Sequence, residues 1–372
     1  VIEVVVVGLH LRWHGVWQRP NHVLVRLANL AQVIVVEEEM LGTVDMLAVE
    51  QAGGITIVTP VRIRPKAGVD RSTIDEVRTL VAGRSALLWL YSPMLLTLSE
   101  AVPEAPIVYD KMDELSSFKG ADASLVALDE ELCERAAYVI AGGRSLWDTV
   151  KARVSAGGPY PSGVDLEAYR AIARNAVGSH GERSGRPVFG YIGVIDERID
   201  LALLRDVSAM RPDASFQLAG PVAKIDPSLL PRADNIVYLG KVAYTALPAL
   251  VANYTVALMP FAINEATRYI SPTKTLEYLA AGLPVVSTAV PDVVADFGEI
   301  VYIASDAAEF ASALRRAEMG DDVRRSAGAA RAAAMTWDVV FASMLAGLAT
   351  ANIVIDSPPV ASGERATPLL VP

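Results

Sequence analysis

Residues 270–288 read ISPTKTLEYLAAGLPVVST and hold the side chains best suited to a polyanion. Ser271, Thr273 and Lys274 bring two hydroxyls and an ammonium to the start of an expected helix, where free backbone N–H groups already favour negative charge, so the set suits a phosphate. Glu277 lies one turn further on; a carboxylate there is wasted on phosphate but can accept hydrogen bonds from the two hydroxyls of a ribose. The plainer alternative is an ordinary capped helix packed on a strand. Nearer the N-terminus, His10 and His14 follow one apolar run, and Asp110 and Asp113 follow another. Each is a candidate general base towards a hydroxyl group. His14 and Asp113 are the stronger candidates, since Asp110 sits nearer its strand end and suits capping of the next turn. Trp13, Trp17 and Arg19 share the first loop, where indole faces can stack on sugar rings and the guanidinium can meet a carboxylate or phosphate. Alternatively Trp17 is buried and Arg19 caps a strand end.

These residues need elements to hold them. Pro272 fits a first helical position, Thr275, Leu276, Leu279 and Ala280 repeat at helical spacing, Gly282 closes the helix, and residues 284–287 follow as a short buried strand. In the first half, apolar runs at 4–7, 33–36, 55–59, 86–91, 107–109 and 138–141 read as strands. Helical patterns at 21–31, 70–82 and 123–136 lie among them. The alternation predicts a parallel sheet with helices on both faces, and ligands in such sheets sit beyond the carboxyl ends of the strands. Between 159 and 187 a Pro-Tyr-Pro-Ser-Gly turn cluster and the polar, glycine-rich stretch 178–185 read as an exposed connection. The pattern then restarts, with strands at 187–192, 215–219, 236–239 and 256–260, helices at 201–210 and 247–253, a helical stretch over 306–335 and a last helix to about 350. The expected organisation is an N-terminal domain over 1–165, a linker over 166–186, a second α/β domain over 187–336, a C-terminal helix over 337–351 and a disordered tail over 352–372.

With 372 residues, 52% of them hydrophobic, the chain is long enough for two cores. The net charge of −10 argues against nucleic acid as a partner, which needs a concentrated basic face. A single cysteine, Cys133, excludes an internal disulfide and any cysteine-based zinc site, and fits a reducing cytosol. No apolar run approaches a bilayer span, and the opening VIEVVVVGLHL reads as a first buried strand and not as a signal peptide. A cytoplasmic protein is expected, with peripheral attachment at the inner face of a membrane left open.

Six short segments then gather in order: Trp17-Gln18-Arg19-Pro20, residues 109–115 (YDKMDEL), residues 161–165 (PSGVD), Gly190-Tyr191-Ile192-Gly193, Leu218-Ala219-Gly220-Pro221 and the ISPTK segment. With them the chain resembles GT-B glycosyltransferases, most of all glycosyltransferase family four and its bacterial polysaccharide relatives, the group 1 glycosyltransferases. The resemblance implies two facing Rossmann-like domains with a central cleft and a hexosyltransferase of polysaccharide biosynthesis. No cofactor or metal is implied beyond a nucleoside diphosphate sugar as donor substrate, with a UDP-sugar favoured. The acceptor it implies is a carbohydrate, a lipid-linked sugar or a small molecule. Carried onto this sequence, it puts the diphosphate near Gly193, Ser271, Thr273 and Lys274, with Arg198 against the same phosphate, the ribose on Glu277 and the nucleobase against the 239–242 segment, chiefly Val242. For Arg198 the alternative is a surface arginine paired with Glu197 or Asp200, and Lys241 is expected to face solvent. Two positions depart from the family pattern. Tyr269 stands where many members carry a first glutamate, and Val194 stands where an arginine often follows the glycine turn. Glu265 and Arg268 are the candidate substitutes. Two other functions share this architecture: a nucleotide-sugar epimerase, which needs acid and base carboxylates on both sides of the site, and a catalytically silent nucleotide-sugar-binding subunit.

Overall fold

The computed structural model describes residues 1–118, 121–176 and 185–355. The chain forms two compact units. One comprises Val1–Tyr160 and, after the chain returns at Val340, residues 340–355; the other is Pro161–Val339.

The first unit is built on strands β1 (Val4–Leu9), β2 (Gln32–Glu37), β3 (Met40–Leu41), β4 (Met46–Ala52), β5 (Ile55–Arg62), β6 (Ala86–Leu90), β7 (Ile107–Lys111), β8 (Tyr138–Ala141) and β9 (Gly157–Pro159). They form one sheet in the order β3-β5-β2-β1-β6-β7-β8-β9, parallel throughout, with β4 antiparallel on β5. β1 is buried along its whole length, as an unbroken valine run in the middle of a parallel sheet should be. Helices α1 (Arg19–Leu27), α2 (Arg71–Val81), α3 (Leu125–Arg135) and α4 (Arg144–Val150) connect the strands. The Asp70 carboxylate caps α2 by accepting from the Thr73 N–H at 3.0 Å. Two expectations are corrected here. α1 begins at Arg19 and not at 21, because Gln18 and Asn21 form a reciprocal cap that places Arg19 and Pro20 inside the helix. Residues 352–355, expected within a disordered tail, are packed: Ile353 and Ile355 are buried and the Val354 carbonyl accepts from the Ile2 N–H at 3.0 Å. The rest of that expected tail lies outside the described residues.

The second unit carries α5 (Leu166–Ala176), β10 (Val188–Ile192), α6 (Leu201–Met210), β11 (Ser215–Ala219), β12 (Ile236–Gly240), α7 (Leu247–Val251), β13 (Val256–Met259), α8 (Lys274–Ala280), β14 (Val285–Thr288), α9 (Pro291–Phe297), β15 (Tyr302–Ala304), α10 (Ala307–Glu318) and α11 (Asp322–Ala334). A last helix, α12 (Trp337–Thr350), leads the chain back to the first unit. The sheet order β12-β11-β10-β13-β14-β15 is all parallel and is that of a dinucleotide-binding doubly wound sheet. Its order reverses between β10 and β13, so the loops after those two strands flank the place where such sheets bind ligands. The expected linker over 166–186 is helical over its first part, as α5, while 177–184 lie outside the described residues. The 306–335 stretch is helical, as two helices, since Asp321 starts the second by accepting from the Arg324 N–H at 3.0 Å.

Candidate active site

The loops after β10 and β13 are zipped together in the second unit. Ile199 bridges Phe261, the Asp200 N–H donates to the Pro260 carbonyl at 2.9 Å, and the Ala262 N–H donates to the Arg198 carbonyl at 2.8 Å. Asp200 also caps α6 through the Leu203 N–H, so the loop is held at both ends. Gly193 turns the chain out of β10 with φ +141°, and its N–H donates to the Ala219 carbonyl at 2.8 Å. Gly220 (φ +152°) comes so close that a Cβ there would sit 1.9 Å from the Gly193 carbonyl oxygen, and its own N–H donates to the Gly240 carbonyl at 2.7 Å. Three strand ends are thereby tied into one surface of backbone, which side chains at 193 and 220 would obstruct.

Lys274 points into this surface. Its Nζ lies 5.5 Å from the ring centre of Tyr191 and 5.4 Å from that of Phe261, and a Cβ on Gly193 would meet its Cε at 2.9 Å. Among the described residues no carboxylate stands within ion-pair distance of it. Burial, and then the nearby Arg198 charge, push the Lys274 ammonium below the ordinary lysine range. Arg198 pairs with Asp196, two positions earlier. Its guanidinium grips the buried carboxylate of Asp196, from Nε at 3.0 and 3.1 Å and from Nη2 at 2.7 Å, so it is held in place beside Lys274 and only partly exposed. α8 begins at Lys274, and Pro272 lies before the helix, contrary to expectation; its carbonyl accepts from the Thr275 N–H in a tighter turn. Ser271 and Thr273 are half-buried on the segment leading into α8, and the Thr273 side chain makes no capping bond.

Glu277 is buried on α8, and its carboxyl is pushed above the usual range, first by burial and then by the Asp165 carboxylate, against the favourable field of Lys274. Asp165 accepts from the Tyr244 hydroxyl at 3.0 Å, and Tyr169, on α5, which packs on α8, is buried with 1% of its surface exposed and feels the Glu277 carboxyl. Val242 is half-buried against the core beyond β12, while Lys241 is exposed. Of the sequence-derived donor residues, Gly193, Arg198, Lys274 and Glu277 therefore belong to one end of one sheet, with Ser271, Thr273 and Val242 on the segments that border it. The candidate substitutes for the departed glutamate, Glu265 and Arg268, are exposed and face each other at 3.7 Å, and Arg268 lies over the Tyr269 ring. Sequence reasoning did not assign roles to Tyr191, Phe261, Tyr169 and Tyr244. Tyr191 and Asp165 fall within the 190–193 and 161–165 segments, whereas Tyr169, four residues past Asp165, falls in the stretch expected to be a linker.

The first unit gives its candidates different surroundings. His14 is exposed in the loop after β1 and its Nε2 meets the Glu50 carboxylate of β4. Asp113 is half-buried beyond β7. Asp110 does not cap the next turn: it is wholly buried and accepts from Arg19 Nε at 3.0 Å, while Arg19 Nη1 donates to the Tyr160 carbonyl at 2.7 Å. Burial raises the Asp110 carboxyl even so. Arg19 is thus committed to the core. Trp13 is buried too, edge-on to the half-buried Trp17 at 6.2 Å, and Trp17 in turn meets His22 at 5.7 Å. Among the described residues no His, Cys, Asp and Glu side chains gather into a group able to hold a metal ion, and no helix is long and apolar enough to cross a membrane.

The architecture and the glycine-lined, lysine-centred strand ends define a GT-B protein, and comparison with solved structures agrees. Sucrose-phosphate synthase from Thermosynechococcus elongatus superposes with a TM-score of 0.69 at 15% identity, covering 92% of this chain and 97% of that one. Anabaena Alr3699/HepE in complex with UDP-glucose gives 0.67 at 14% identity, covering 93% and 99%. Residues 186–318 match the family model of the Glycosyl transferases group 1. A curated relative is the Bacillus subtilis (strain 168) protein TuaH, named for a glycosyltransferase role in teichuronic acid biosynthesis; it is 23% identical over 235 residues, and the match spans 59% of its length and 59% of this chain.

Proposed function

We propose that this chain is a glycosyltransferase that moves a sugar from a nucleoside diphosphate sugar, a UDP-sugar by preference, to a carbohydrate, lipid-linked or small-molecule acceptor. The observation that carries the reading is Lys274: an ammonium set between two aromatic rings at the topological switch point, without a carboxylate in ion-pair reach and with Arg198 beside it. Two cations kept close together in a partly dry site are costly alone and favourable once a diphosphate joins them. Breaking the sugar–phosphate bond builds negative charge on the departing diphosphate, and fixed donors already aimed there stabilise that charge without a metal. In this reading Lys274 and Arg198 hold the diphosphate over the Gly193 turn, with the Ser271 and Thr273 hydroxyls alongside. Glu277 accepts from the ribose hydroxyls, and the base rests near Val242. Asp113 and the His14–Glu50 pair are the candidate bases towards an acceptor hydroxyl. The polysaccharide setting rests on the name of the Bacillus relative.

The test is a calorimetric and thermal-shift titration with UDP, GDP, ADP and dTDP. One nucleotide should raise the melting temperature by mass action, and Lys274→Ala should abolish most of that rise. No shift with any of the four at millimolar concentration would overturn the proposal.

A further inference from the structure

Glu277 carries more neighbours than a ribose-binding carboxylate requires. α5 packs on α8, and this contact buries Tyr169, whose hydroxyl has no hydrogen-bond partner of ordinary geometry yet lies against the Glu277 carboxyl. One turn earlier on the same segment, Asp165 faces Glu277 and accepts from Tyr244 Oη at 3.0 Å; Tyr244 follows β12 and the segment that holds Val242. A buried phenol stays neutral, so beside a carboxylate its only favourable role is donor. With the Asp165 charge also acting on it, an undirected Glu277 would either turn away from its neighbour or take up a proton, and in both cases an acceptor oxygen is lost.

We propose that Tyr169 is a positioning residue for nucleoside recognition: its hydroxyl fixes one Glu277 oxygen, leaving the other oxygen and the remaining lone pairs directed at a vicinal diol, while Asp165 and Tyr244 brace the base-side segment against the same helix. This rests on the donor-site reading above and adds to it a source for discrimination between ribose and deoxyribose. The brace comes from α5, outside the residues that match the family model, so the preference for the diol is built by a segment that the phosphate groups do not touch.

The experiment compares UDP with 2′,3′-dideoxy-UDP, by calorimetry, on the full chain and on Tyr169→Phe, which keeps the ring and its packing. Wild-type protein should bind UDP more tightly than the dideoxy compound. Tyr169→Phe should weaken UDP roughly tenfold and leave dideoxy-UDP within about twofold, so that the preference for the diol collapses with the melting temperature of the free protein unchanged. An equal fall for both ligands assigns Tyr169 to packing alone and overturns the inference, as does no fall for either. Equal binding of the two ligands by wild-type protein removes the ribose role of Glu277 and the inference with it. Absence of UDP binding by wild-type protein refutes the choice of UDP, a failure distinct from the others.

Discussion

Replacing Lys274 by Met separates the cost of its charge from its use. The thioether side chain keeps the volume between Tyr191 and Phe261, so no large cavity opens between the two rings. In the free protein the ammonium is disfavoured by burial and by Arg198, and its loss should not lower stability; the melting temperature should stay within about 3 °C, a shift worth under 1 kcal/mol. With diphosphate bound, the same ammonium makes a charge-assisted contact of about 1.5–3 kcal/mol, so Lys274→Met should raise Kd roughly 10-fold to 150-fold. At a nucleotide concentration about 100 times the wild-type Kd, binding adds about 2.7 kcal/mol of stability; in the variant this falls to about 0.3–1.4 kcal/mol. Since the free folded protein holds the Lys274 proton less tightly than the unfolded chain does, the contribution of Lys274 to stability rises with pH across the window between its lowered value and that of an ordinary lysine. Nucleotide binding reverses this: it favours the protonated form, so affinity falls as pH rises through the mildly alkaline range, and the slope disappears in Lys274→Met. Calorimetry at several pH values reads both quantities. A variant that keeps the full nucleotide-induced stabilisation, or the same alkaline slope, would refute the placement of the diphosphate.

Three further outcomes are expected. Glu277→Ala should weaken nucleotide binding by about 1–3 kcal/mol with the fold intact, by calorimetry and circular dichroism. Asp110→Ala should destabilise the protein by about 3–5 kcal/mol in urea unfolding, because it strands the buried Arg19 guanidinium with little beyond the Tyr160 carbonyl to meet it; a loss under 1 kcal/mol would show that the pair is not part of the core. Gly193→Val should abolish nucleotide binding, since its Cβ would collide with Tyr191 Oη at 2.8 Å and Lys274 Cε at 2.9 Å in a backbone conformation hostile to a branched residue. Wild-type affinity in that variant would show that the turn can move without consequence.

The alternation of buried runs with helical periods was enough to read both sheets as parallel. β2, β6 and β10 fall within a residue or so of the apolar runs, and α6 and β11 match theirs, because buried parallel strands are continuous and apolar while the helices between them are amphipathic. What periodicity missed lies at edges and breaks. β4 is largely solvent-facing although it opens with four apolar residues, and the Gly53-Gly54 turn ahead of β5 is what makes it half of a hairpin. The division of the alanine-rich stretch into α10 and α11 rests on the Asp321 cap, and alanine spacing carries no phase with which to locate such a break. Arg19 was legible as a cation but not as a buried one, because its partner Asp110 lies 91 residues away.

The residues proposed for the donor were placed together for a different reason. Gly193, Lys274 and Glu277 are set by local rules, a turn that needs positive φ and a helix start, and the sheet order then brings those local features together. Their charge states follow from the assembly. The field that lowers Lys274 comes from burial and from Arg198, 76 positions earlier, and the one that opposes ionisation of Glu277 comes from Asp165, more than 100 positions earlier. Neither can be read from a helix start alone. The opposed shifts have one consequence: in the empty site an ammonium and a carboxylate three residues apart each resist their charged form, although each would favour it in the other. A ligand that brings negative charge to Lys274 stabilises the ammonium, and that ammonium then favours the ionised Glu277, which is the form that accepts from a diol. Diphosphate and ribose recognition should therefore reinforce each other in this site, with UDP bound more tightly than the separate affinities of pyrophosphate and uridine account for, and Lys274→Met should reduce the preference for the diol as well as the affinity for phosphate.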